Sequence, residues 1–142
     1  MLALVLGACD SGNDKPYLAF AGGGFIFNYR LATADYGFVA RVLRSIPEGS
    51  IVEAEFENPD GGSPIVLRQN AKAGRMSYVF RTPPVQGVIA NHDYRVVLRL
   101  LNPERGEFAR YEKSFRSDAN QTVLPASPPV VGPGYQRAPP PQ

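Results

Sequence analysis

The chain has 142 residues, 44% hydrophobic and 20% charged, with a formal net charge of +2. That length allows one domain with a real core plus flanking segments, and the composition is that of a globular chain rather than a disordered one. Three classes are excluded: interleaved basic and acidic residues leave no block for neutralising nucleic-acid phosphates, no apolar run reaches the roughly 18 residues of a transmembrane helix, and one cysteine permits neither an intramolecular disulfide nor a multi-cysteine metal site.

The single cysteine is Cys9. It follows an apolar run over 2–6 and the small residues Gly7 and Ala8, and precedes Asp10, Ser11, Gly12, Asn13 and Asp14. Leu6-Gly7-Ala8-Cys9 resembles the lipobox of bacterial lipoprotein precursors. The resemblance implies a signal-peptidase cut before Cys9, a diacylglyceryl thioether on its sulfur and a mature chain that begins there. More than one acyl chain would anchor it stably, since each buried methylene contributes about 0.8 kcal/mol. Residues 1–8 then read as the remnant of a signal peptide: none is basic, and a secretory signal has a basic segment before an apolar run of about 7–15 residues. Asp10 resembles the residue that retains enteric lipoproteins at the inner membrane, a rule that does not carry to all bacteria, so the membrane stays open. The alternative is a buried Cys9 in an N-terminal strand, for which the polar residues after it are poor material.

Residues 9–23 are expected to be the lipidated cysteine and a tether, because Ser, Gly, Asn and Asp and the run Gly22-Gly23-Gly24 resist regular structure. No strand is expected before the triple glycine and no Gly-Lys-Ser/Thr follows it, so it reads as a hinge rather than a phosphate loop.

From Phe25 to Phe115 the hydrophobic period is two. A first run has Phe25, Phe27, Tyr29 and Leu31 on one face. A second spans 36–44. After the turn residues Pro47 and Gly49, a third spans 51–57, with Val52, Ala54 and Phe56 inward and Glu53, Glu55 and Glu57 outward. Asn58-Pro-Asp-Gly-Gly62 is a turn. The fourth run, 64–69, opens on a proline that suits a sheet edge. The fifth, 75–81, places Met76, Tyr78 and Phe80 on one face. The sixth, 94–101, turns Tyr94, Val96, Leu98 and Leu100 inward. A five-residue hairpin loop, 102–106, leads to the seventh, 108–115. Residues 119–142 carry a run of prolines without apolar period and are expected to be disordered and polyproline-like.

Seven short strands over 24–118 predict an all-β, antiparallel immunoglobulin-like sandwich. Within it, Val88 to Tyr94 is similar to the fibronectin type III pattern, in which an apolar residue sits six before a tyrosine opening strand F. The match is partial, with Val88 and Ala90 where that family usually has Leu and Pro. The resemblance implies a tyrosine corner, the Tyr94 hydroxyl bonding back to the upstream backbone; the alternative is a Tyr94 that is simply a core aromatic.

Chemistry is sparse. His92 is the only histidine, and its neighbour Asp93 does not make a dyad, because adjacent side chains seldom aim at one point. A zinc site wants three or four clustered ligands, and the acidic turn at 58–62 lacks the alternating oxygens of a calcium loop. Neither catalysis nor a cofactor or metal is expected. In the immunoglobulin arrangement the third, sixth and seventh runs share a sheet. Its outer face would then present Arg95, Val97, Arg99 and Leu101 beside Phe108, Arg110, Glu112 and Arg116, opposite Glu53 and Glu55. That is either a solvated, salt-bridged face or a recognition face, with Arg95, Val97, Arg99, Leu101, Phe108 and Arg110 as candidate contacts for a protein partner.

The expected function is a lipid-anchored, non-catalytic binding or structural module of the bacterial cell envelope, accessory to a membrane-associated complex. Two alternatives remain: a periplasmic carrier of a small apolar ligand between the sheets, and a hydrolase using Glu53 and Glu55. The aromatics Phe27, Phe38, Phe56, Tyr78 and Phe80 favour a filled core over a carrier's cavity, and carboxylates two apart on an exposed strand do not make a walled cleft.

Overall fold

The computed structural model describes residues 15–132, 134 and 136–139. Seven strands make the domain: β1 (Leu18–Asn28), β2 (Thr33–Val42), β3 (Ile51–Phe56), β4 (Ile65–Asn70), β5 (Ser77–Arg81), β6 (Tyr94–Asn102) and β7 (Gly106–Phe115). They form two antiparallel sheets, ordered β1-β2-β5 and β4-β3-β6-β7. This is the seven-stranded immunoglobulin-like sandwich expected from the alternation, and β3, β6 and β7 do share one sheet.

The core follows from the period of two. Tyr36, Phe38 and Ala40 of β2 and Tyr78 and Phe80 of β5 face Val52, Ala54 and Phe56 of β3 and Val96, Leu98 and Leu100 of β6, all buried. Aromatic rings occupy the middle. Phe25 stacks on Tyr36 at 4.4 Å, and Phe38 lies 5.6 Å from both Phe56 and Phe80 and 6.1 Å from Phe115. Large rings bury the most area per residue and add offset-stacking and edge contacts to it.

Both open seams are closed by a side chain bonded to a backbone. Tyr111 Oη on β7 accepts the Tyr17 N–H at 2.9 Å, just before β1. Gln69 Nε2 on β4 donates to the Val79 carbonyl of β5 at 2.7 Å. The expected tyrosine-corner bond is present: Ile89 N–H donates to Tyr94 Oη at 2.9 Å, and Tyr94 is buried.

Four expectations need correction. The tether ends earlier than residue 23, because β1 begins at Leu18 and runs through the triple glycine. There the register shifts between Phe20 and Gly23. A Cβ on Gly23 would stand 2.6 Å from the Gly37 carbonyl and 2.7 Å from the Phe115 ring. Glycine thus lets the strand press onto β2 and the core. Tyr29 and Leu31 lie in the β1–β2 turn and are exposed. Met76 precedes β5 and is 73% exposed, not aligned with Tyr78 and Phe80.

The tail, finally, is ordered where it leaves the domain. Ser117 bridges Ala90, a short 3-10 turn forms at Gln121–Val123, and Leu124 packs on the core. Side-chain amides supply the order that composition hid: Asn120 Oδ1 accepts the Ala90 N–H at 2.8 Å. Beyond it β8 (Val130–Val131) and β9 (Gln136–Arg137) pair with each other.

Candidate functional site

The outer face of the four-stranded sheet carries the sequence-predicted contacts. Glu53 and Glu55 of β3 stand in register with Arg99 and Val97 of β6, while Glu53 also opposes Arg68 of β4. Arg99 and Val97 in turn face Arg110 and Glu112 of β7. Glu53 thus has a guanidinium on either side of it, whereas Arg99 and Arg110 are like charges set directly opposite each other.

Arg99 is the hub. Its Nη1 lies 2.6 Å from Glu53 Oε1 and its Nη2 2.6 Å from Glu55 Oε2. Its Nε is 3.0 Å from Glu107 Oε1 without an aligned hydrogen bond, so that buried N–H holds an ion pair but no bond. Glu53 is bound a second time by Arg68 Nε at 2.7 Å. Glu112 bridges Arg95 at 2.5 Å and Arg110 at 3.1 Å.

Burial divides this face in two. Glu53 is 3% exposed although it points away from the core, because the arginine side chains cover it. Burial pushes its carboxyl up, but hydrogen bonds from Arg68 and Arg99 outweigh that and hold it below the usual carboxylate range. Val97 is also buried, between its register partners Glu55 and Glu112. Arg95 and Arg110, by contrast, have side chains 55% and 42% exposed. Leu101 is half-buried.

Phe108 departs from the expected outer row. β7 has an irregularity opposite Leu100 and Leu101, which brings Glu107 across from Leu101 and leaves Phe108 as the extra residue. Its ring meets Tyr17 edge-on at 5.6 Å, closing the seam beside β1. Arg116 is also off this face, paired with Asp93 at one end of the sandwich. The bulge that moves Phe108 leaves no mark on the hydrophobic alternation, and Arg116 lies just past the end of β7 at Phe115.

Sequence reasoning missed two features. Asp35 is 6% exposed on the outer face of the three-stranded sheet and takes both Arg81 Nε and Nη2, the latter at 2.8 Å. Beside that pair, Gly24 and Gly37 leave a hollow of about 450 Å³ bordered by Ile26, Val39 and Val79. His92 lies 3.5 Å from Glu57 Oε2 and edge-on to Tyr94 at 4.6 Å, with its side chain 53% exposed. Cys9 lies outside the described residues. Among the described residues no group of three or more His, Cys, Asp or Glu could hold a metal ion, and no helix is long and apolar enough to cross a membrane.

No family model matches the chain, and neither the curated proteins nor the solved structures yield a significant match.

Proposed function

We propose that this chain is a lipid-anchored, non-catalytic module of the bacterial cell envelope that holds a protein partner as an accessory to a membrane-associated complex. The observation that carries the binding role is the row Arg95, Arg99 and Arg110, with Arg99 locked by Glu53 and Glu55 while Arg95 and Arg110 stay accessible. Side chains already held in place lose less rotamer freedom on association, and arginine is enriched at interfaces.

The anchor rests on Leu6-Gly7-Ala8-Cys9 and the polar residues after it. Leu18, where β1 opens, lies nine residues after Cys9, a span of at most about 32 Å of extended chain. An acylated Cys9 would hold the sandwich close to the bilayer. Glu53 and Glu55 are both engaged by Arg99, and Glu53, held ionised by Arg68 and Arg99, is poorly suited to act as a general acid.

Crosslinking in intact cells followed by purification tests the two parts separately. Cys9→Ser should remove the acylated N-terminal peptide and let a wash at about 1 M salt strip the protein from membranes, where the wild type stays bound. Arg95→Glu with Arg110→Glu should abolish a crosslink while the circular dichroism stays native. If the double variant keeps every crosslink, the partner-binding assignment to this face is wrong.

A further inference from the structure

The two poles of the sandwich differ in charge. One pole gathers the start of β1, the β2–β3 loop, the β4–β5 loop and the β6–β7 loop, because Leu18 pairs with Val42, Ile51 with Asn70 and Leu101, and Arg41 with Ser77. It carries Lys15, Arg41, Arg44, Lys72, Arg75 and Arg105 against Glu48, Glu104 and Glu107. The opposite pole carries Arg30 and Arg116 against Glu57, Asp60, Asp93 and Asp118. The basic pole is also where the chain arrives from Cys9. Arg44 Nη1 donates to the Lys15 carbonyl at 3.1 Å, and its guanidinium sits 4.0 Å over the Tyr17 ring.

Apolar side chains stand among these charges. Met76 is 73% and Leu43 40% exposed. They border a hollow of about 330 Å³ between the β2–β3 and β4–β5 loops, which Ile46, Lys72 and Arg75 also line. Lys72 and Arg75 make no ion pair with a described carboxylate. Arg75 instead lies 4.7 Å over the Tyr78 ring and bonds the Ser77 carbonyl. These cations contrast with Arg68, Arg81, Arg95, Arg99 and Arg110, each of which has a carboxylate.

We propose that this pole docks on an anionic phospholipid surface, with Lys72 and Arg75 at the headgroup phosphates and Leu43 and Met76 at the acyl boundary. The charge is complementary, and the apolar tips sit where partial insertion would bury them. The orientation rests on the anchor proposed above, since a tether from Cys9 presents this pole first. The acidic pole then faces away from the membrane. Acyl chains and surface contact would act together, each raising the effective concentration of the other.

The test uses the full chain with Cys9→Ser, so that no acyl chain contributes. It should cosediment with phosphatidylethanolamine–phosphatidylglycerol vesicles, not with phosphatidylcholine vesicles, and the binding should fade as salt shortens the screening length from about 10 Å at 0.1 M to about 3 Å at 1 M. Lys72→Glu with Met76→Glu, both at exposed sites, should weaken binding about tenfold or more. Tyr29→Glu with Leu31→Glu, exposed at the opposite pole, should leave it unchanged. Should the first variant fail to fold, Lys72→Gln carries the test with about a fivefold loss. Absence of binding, equal binding to neutral vesicles, or equal effects of the two double variants would overturn the proposal. Acylation of Cys9 in the wild-type chain is read separately by mass spectrometry, so anchor and docking surface stand or fall independently.

Discussion

Arg99 and Glu53 are register partners on β6 and β3, and they meet at 2.6 Å with Glu53 almost fully covered. A carboxylate in that position is stable because two guanidiniums replace its water. Removing Arg99 leaves Glu53 with Arg68 alone, whose side chain is 63% exposed. Arg99→Ala should therefore destabilise the domain by about 2 kcal/mol or more, since an underpaired buried charge is costly. Arg95→Ala removes a solvent-facing pair and should stay within the scatter of surface substitutions. Chemical denaturation of the two variants compares them directly; equal effects would mean that Glu53 does not depend on Arg99.

The same carboxylate sets a pH dependence. Its folded pKa is depressed, so its contribution is complete above the ordinary glutamate value near 4.5 and is lost as pH falls through the lower folded value. Acid should thus weaken the wild type more steeply below about pH 4.5 than it weakens Glu53→Gln, which has no proton to take up at that site. Melting temperatures measured at descending pH should converge for the two proteins. Parallel curves would show that Glu53 does not drive the acid limb.

The alternation in the third and sixth runs was enough to place Val52, Ala54, Phe56, Val96, Leu98 and Leu100 in the core, because side-chain direction along a strand is local information. The burial of Glu53 and Val97 was not legible in the same pattern. Both point outward as expected, and what covers them comes from β4, β6 and β7, whose registers no single strand reveals. The glycine run misled for a related reason. A glycine has no side chain to alternate, so a strand through Gly22-Gly23-Gly24 looks like a linker until the close approach of Gly23 to Gly37 is known. Phe108 was misplaced by a bulge.

Tyr94 joins local sequence to long-range structure. Its ring is buried against Phe25 at 5.3 Å while its hydroxyl takes the Ile89 N–H. Tyr94→Phe keeps the ring and removes the acceptor, so it should cost about 1 kcal/mol. Hydrogen exchange gives the sharper check: the Ile89 amide should lose protection in the variant while amides in β3 keep theirs. An unchanged Ile89 amide would mean that the bond does not hold this crossover.

The tail offers a prediction that composition alone would place wrongly. Proline content suggests that everything after residue 118 could be removed freely. The geometry sets the boundary later, because the crossover between β5 and β6 depends on residues 120–124. Gln121 N–H donates to the Val88 carbonyl at 2.7 Å, Asn120 Oδ1 takes the Ala90 N–H, and Leu124 packs on the core. Val88 is among the most buried residues of the domain, so its carbonyl would be left short of a partner. Ending the chain after Ser117 should cost about 2 kcal/mol, from these hydrogen bonds and the contact of Leu124. Ending it after Leu124 should change the melting temperature little, since β8 and β9 form a sheet of their own. Asn120→Ala in the full-length chain should show about 1 kcal/mol of the larger loss by itself. Two truncations that melt together would place the domain boundary before Asn120.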